Sequence, residues 1–295
     1  MQVRRQRVMI QWANRAGYTF LVPALAILAF VYAYPMAKVI EFSLRHRGTG
    51  VWTALDNYQR LLGDPIFWQA LWNNVGLFFL IPILVVLSLV FSSLLYERIR
   101  GWQMYRFFIF LPYMIPVVVT GIAFGYILQY RGLVNRVLDF AGLGGLRQDW
   151  LGDPHLAFFT VGGVIVWREL GLGIVLFLAR LMQVPGELYE SARIDGAGWW
   201  QTLYYVTVPQ LSTVILFYTS VMMIQLFSWV FNYIFVLTRG GPGFTTYVSE
   251  FYIYQRAFSY DEIGVASACS FVVVLLVAVG LSGLFSLLRR VEIFE

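Results

Sequence analysis

The stretch "PGELYESARIDGAGWWQTLYYVTVPQ", residues 185–210, sets acids, an arginine and glycines between two long apolar runs. It reads as helix, turn, helix. Pro185 suits the first helical position, where its missing N–H is no loss. Glu187 and Glu190 follow in the first turns and complement the positive end of the helix dipole. Leu188 and Ala192 share a face, and Glu190 can pair with Arg193. Asp195-Gly196 then ends the helix, because glycine accepts the left-handed conformation at a C-terminus. A second segment stacks Trp199 over Leu203 and Trp200 over Tyr204, and Pro209 closes it where the next apolar run begins.

Outward from this stretch the chain is greasy. Of 295 residues 59% are hydrophobic and 13% charged, against about 25% charged in an ordinary soluble domain. Several runs reach the roughly 20 residues needed to cross about 30 Å of hydrocarbon as helix. The fold class is therefore an all-α membrane protein, with six spans expected near 17–44, 72–96, 105–129, 157–182, 208–237 and 263–288. The first apolar run is longer than a signal-peptide core and five more follow, so it reads as an uncleaved helix. Short tails, 1–16 and 290–295, flank a transmembrane domain over 17–289. With the N-terminus inside, the inner segments hold eleven arginines and the outer ones eight. That bias, with the cluster Arg4, Arg5, Arg7 and Arg15, favours both termini and the 185–209 loop in the cytoplasm. Pro112 and Pro116 should kink the third span. Gly121, Gly125, Gly162, Gly163, Gly171 and Gly173 should let helices approach closely.

Composition also excludes chemistry. Cys269 is alone, and His46 and His155 stand far apart, so neither a disulfide nor a cysteine or histidine metal site is spelled out. No metal is expected. The single lysine, Lys38, lies in "PMAKVIE", so no Walker A loop is possible. The arginines fall in short segments beside apolar runs, as headgroup anchors do, and not on a soluble face for nucleic acid.

Periodicity leaves the 185–210 stretch open between a hairpin lying on the lipid surface and an element that docks a protein. The small residues Ser191, Ala192, Gly196, Ala197 and Gly198 favour docking, since they offer lipid little area. The spacing then adds a resemblance. Glu190-Ser191-Ala192, three residues, Gly196, nine residues and Val206-x-Val208-Pro209 resemble the EAA loop of ABC importer permeases, with serine for the first alanine and valines for isoleucine and leucine. "ARIDGAGWWQTLYYVTVP" and "FNYIFVLTRGGPGFTT", residues 231–246, look like the carbohydrate-uptake branch, although Asn232 stands where aspartate is frequent. "FLPYMIPVVV" and "FLARLMQVPGELYE" fit as well, and the likeness covers about residues 15–290.

The resemblance implies a type I importer permease of a bacterial or archaeal inner membrane. Its loop would be a coupling helix seated on a separate ATPase, with Glu190, Ser191, Ala192, Asp195, Gly196 and Ala197 as the contact residues. It further implies a second, homologous permease, two ATPase subunits carrying ATP and Mg, an extracytoplasmic solute-binding protein and a carbohydrate substrate. This chain itself would bind no cofactor and catalyse nothing.

Polar groups inside the membrane are functional candidates by default. Tyr218, Gln225 and Asn232 recur every seven residues, with Ser228 and Trp229 between the last two, and at helical period they should share a face. Amides beside rings suit a sugar; a hydrogen-bonded seam between helices is the plainer reading. Arg168 and Glu169 are adjacent and point about 100° apart, so each should meet a partner on another helix or a watery cavity, with a structural ion pair the plainer reading and substrate contact the alternative. The rival architecture, an ion-coupled secondary transporter, would show repeat symmetry and an intramembrane carboxylate for the coupling ion. No repeat is visible.

Overall fold

The computed structural model describes residues 21–45, 51–97 and 101–292, with side chains to 286. Arg4, Arg5, Arg7, Arg15, Arg47, Arg98, Arg100, Arg289 and Arg290, on which much of the orientation argument rests, lie outside the described side chains, as does His46.

Among these residues the chain is helical, apart from one isolated bridge between Arg45 and Trp52. The first span, α1 (Leu21–Ser43), exposes nearly all its apolar side chains. Its end is held by the short helix α2 (Asp56–Leu62). There Asn57 Nδ2 donates to the carbonyls of Ser43 and Arg45, each at 2.9 Å.

The second span, α3 (Pro65–Tyr96), starts seven residues before the expected 72. Asp64 caps it by accepting from the Ile66 N–H at 2.9 Å, with Pro65 at the first position. The same carboxylate accepts from Tyr252 Oη at 2.7 Å and pairs with Arg256, which also holds Glu262. Capping and these ties extend the helix beyond the apolar run. The ladder loosens at Phe79, beside Phe78, whose carbonyl the missing N–H of Pro82 cannot bond.

The third span is not one kinked helix. It is two, α4 (Trp102–Met114) and α5 (Val117–Ile127), meeting at 101°. Pro116 causes the break, because the residue before proline avoids the helical region, and Ile115 is extended at ψ 130°. Pro112 lies inside α4 without ending it. A short helix, α6 (Leu133–Phe140), follows in the connection.

The fourth span, α7 (Ala157–Leu181), matches its expected limits and packs against α3, α4 and the fifth span. Close approach depends on two glycines. A Cβ on Gly171 would stand 3.0 Å from the Ile109 carbonyl of α4, and one on Gly173 would stand 2.7 Å from Tyr218 Cζ. Gly125 and Gly163 meet nothing within 4 Å and play no such part. Gly173→Val should therefore prevent packing and reduce recovery of folded protein from membranes, whereas Gly163→Val should leave it unchanged. Detergent-solubilised yield by size-exclusion chromatography measures both.

After α8 (Gly186–Ile194), α9 (Trp199–Gln225) enters the membrane. Pro209 does not close the preceding segment. A π-turn, Leu203–Thr207, absorbs the missing N–H, and the helix continues through it. The fifth span then stops at Gln225 and resumes as α10 (Val230–Leu237). A connecting helix, α11 (Ser249–Tyr254), precedes the last span, α12 (Ile263–Glu292).

Candidate functional site

The loop helix α8 has a defined start and a closed end. Pro185 proves to be its cap, at φ −57° and ψ 128°, and Gly186 its first residue. The extended ψ turns the chain away from α7 before the helix starts. At the other end Gly196 has φ +75°, its N–H donates to the Arg193 carbonyl at 3.1 Å, and the Ala197 N–H donates to that of Ala192 at 2.9 Å. This double closure is a Schellman cap, and only a residue tolerant of positive φ completes it. The next turn begins with Gly198 N–H donating to Gln201 Oε1 at 2.8 Å.

Tyr189 fastens the helix to the spans. Its ring lies 5.5 Å from that of Tyr96, and its hydroxyl is 3.3 Å from Thr207 Oγ1. Burial raises the Tyr189 phenol above its ordinary range, so it stays a neutral hydroxyl. Of the six expected contact residues, Glu190, Ser191, Asp195 and Gly196 are exposed, and Ala192 and Ala197 are half-buried. The anticipated Glu190–Arg193 pair does not form among the described residues, which leaves both charges outward. Sequence reasoning missed Ile194, 85% exposed, and Leu188 as outward apolar residues. An isoleucine in the last turn of so polar a helix was the available signal.

A second cluster lies within the membrane. Arg168 and Glu169 pair with each other, Nη1 to Oε1 at 2.6 Å, despite their divergent start on α7. The arginine stem is long enough to swing back. Its Nε donates to the Ile115 carbonyl at 3.1 Å, and its guanidinium lies 5.4 Å from the Tyr113 ring centre. Tyr233 Oη donates to Glu169 Oε1 at 2.8 Å, and Tyr218 Oη donates to the Glu169 carbonyl at 3.2 Å. The cluster thus joins the broken third span to both halves of the fifth. Ile115 is freed by Pro116, and Arg168 supplies the donor that carbonyl needs.

The fifth-span residues do not share one face. Tyr218 is fully buried against Phe177, Glu169 and Gly173, so it packs the core and lines no open path. The helix breaks between Gln225 and Asn232, which ends any seven-residue register. Gln225, Ser228, Trp229 and Asn232 instead surround the break, Ser228 and Trp229 exposed and the two amides half-exposed. Asn74 of α3 holds it open: its Nδ2 donates to the Leu226 carbonyl at 3.1 Å and to Glu250 Oε2 at 3.2 Å, while its Oδ1 accepts from Ser249. A side chain entering the ladder is a recognised cause of a break. Burial pushes the Glu250 carboxyl up to about 7. A raised carboxyl stabilises the fold below its unfolded value and loses that contribution as pH rises through about 7.

Residues 85–292 match the family model for the "binding-protein-dependent transport system inner membrane component". The chain belongs to that family. Relatives align over nearly its whole length. The probable ABC transporter permease protein YurN of Bacillus subtilis (strain 168) is 37% identical, over 90% of this chain and 92% of its own. The lactose transport system permease protein LacF of Rhizobium radiobacter is 34% identical, over 89% and 90%. The trehalose/maltose transport system permease protein MalF of Thermococcus litoralis is 30% identical, over 89% and 90%. A solved bacterial ABC transporter involved in the import of alginate superposes with a TM-score of 0.80 at 22% identity, covering 94% of this chain and 96% of that one. Its fold is shared by this inner-membrane component.

Proposed function

We propose that this permease component is the non-catalytic membrane subunit of an ATP-driven importer for a carbohydrate or sugar-like solute. The observation that carries the reading is α8, a helix closed at its C-terminus by a Schellman cap, tied to the start of α9 by Tyr189 and exposing Glu190, Ser191, Ile194 and Asp195. Such a helix is a rigid lever with a face to dock, and a chain without a Walker lysine needs a partner to feel ATP. Both termini and α8 lie in the cytoplasm. ATP and Mg reside on two ATPase subunits, a second homologous permease completes the pathway, and an extracytoplasmic binding protein delivers solute. The relatives' names support the sugar class. Glu169, held by Arg168 and Tyr233, is poorly placed to cycle a coupling ion, which weighs against a secondary transporter.

The break in the fifth span forms part of the solute path. Gln225 and Asn232 supply hydrogen bonds there and Trp229 a ring face for sugar C–H groups. The test is uptake of labelled lactose, maltose, trehalose and arabino-oligosaccharides by the reconstituted importer. Uptake should require ATP, the ATPase and the binding protein. Gln225→Ala with Asn232→Ala should lower it about tenfold, equivalent to about 1.4 kcal/mol of lost hydrogen bonding, at unchanged assembly. Uptake without ATP would overturn the main reading, and unaltered kinetics in the variant would overturn the path.

A further inference from the structure

A cavity of about 520 Å³ lies between α8 and the adjoining ends of α3, α7 and α9. That volume is within the roughly 300–1,000 Å³ of small-molecule sites. Most of its wall belongs to the 185–209 loop, through Tyr189, Arg193, Trp199 and Thr207, and the rest to the ends of α3 and α7, through Ser93, Tyr96 and Leu181. Ser93 is 8% exposed and its Oγ has no hydrogen-bond partner. Its neighbour Ser92 bonds back to the Leu89 carbonyl at 3.1 Å, as a membrane serine ordinarily does. Glu97 and Arg193 are exposed at the cavity and form no ion pair among the described residues.

The composition selects a ligand class. An apolar occupant, such as an acyl chain, would strand the Ser93 hydroxyl. A phosphate would meet one guanidinium with a carboxylate in the same site. A polyhydroxylated ring satisfies all of them: its C–H faces lie on Tyr96, Tyr189 and Trp199, and its hydroxyls reach Ser93, Glu97 and Arg193.

We propose that this cavity is a second carbohydrate site, on the cytoplasmic side, where imported sugar binds and restrains the loop helix against the spans. The inference rests on the carbohydrate reading and the orientation given above. A ligand touching both walls favours the arrangement in which they stand this close, and so opposes any stroke that carries α8, with the start of α9, away from the end of α3. Accumulated sugar would thereby slow its own import.

The test uses the complete importer, with both permeases, ATPase and binding protein, in vesicles containing ATP. The sugar of the panel that is transported is then also preloaded, unlabelled, inside. Each variant's initial rate is normalised to its own unloaded vesicles. The native importer should slow at least fivefold, saturably, with internal sugar. Ser93→Phe, which fills the cavity, should raise the half-inhibiting concentration at least fivefold. Arg193→Gln, at an exposed position, should do the same and serves if Ser93→Phe does not assemble. Absence of uptake for the whole panel sinks the carbohydrate reading itself. Uptake that internal sugar does not slow, or slows equally in native and Arg193→Gln importers, sinks the cavity proposal alone.

Discussion

Gly196→Asp is expected to leave the permease inserted and assembled while uptake falls at least tenfold and ATP hydrolysis continues. The physical reason is local. Gly196 sits at φ +75°, where a side chain costs about 1–2 kcal/mol. A Cβ there would meet nothing within 4 Å, so the damage comes from the backbone and not from a clash. The added carboxylate also stands beside Asp195 at the negative end of the α8 dipole, which costs up to about 1 kcal/mol more. Together about 2 kcal/mol shifts the capped helix by a factor of roughly 30, enough to unseat a lever of nine residues. Gly196→Asn is the comparison, since asparagine meets the left-handed region much as aspartate does but adds no charge. It should retain more uptake than Gly196→Asp, the difference measuring the carboxylate. The measurement is solute imported per ATP hydrolysed in proteoliposomes, and an unchanged ratio in Gly196→Asp would remove α8 from the coupling path.

Arg168→Leu should have the larger effect on the protein itself. It leaves Glu169, 5% exposed, as a buried carboxylate whose Oε2 already lacks a partner, and it strips the Ile115 carbonyl of its donor. Removing one member of a buried pair typically costs about 3–5 kcal/mol. The single variant should yield little assembled permease and melt far below the native protein in detergent. Arg168→Leu with Glu169→Leu removes both charges and should recover most of that loss. Arg168→Lys should fall between, because an ammonium cannot span the Ile115 carbonyl and Glu169 as a planar fork does. Equal melting of the single and double variants would show that the pair does not hold the cluster together.

The spans were legible because lipid demands long apolar runs, and α7 agrees with its expected start at 157 and lies within one residue of its expected end. The loop helix was legible for a different reason: capping is local chemistry, and Asp195-Gly196 spells its own turn. The missed features are non-local. Nothing in "QLFSWVF" marks a break, because the side chain that holds it open is Asn74, about 150 residues earlier. Tyr218 looked like a lining residue by its period, yet Gly173 and Phe177 of another helix bury it. Pro116 announced a bend but not its 101° angle, and gave no hint that Arg168 would meet the freed carbonyl.

By itself, then, the sequence determined a helical membrane protein, the places of most spans and a capped loop with the spacing of a coupling element. These follow from hydrophobic length and from backbone rules acting within a few residues. The tertiary structure alone decided which polar groups are spent on holding helices together and which stay open. That division depends on contacts between distant segments, since a buried donor or acceptor takes whatever partner packing brings within about 3 Å.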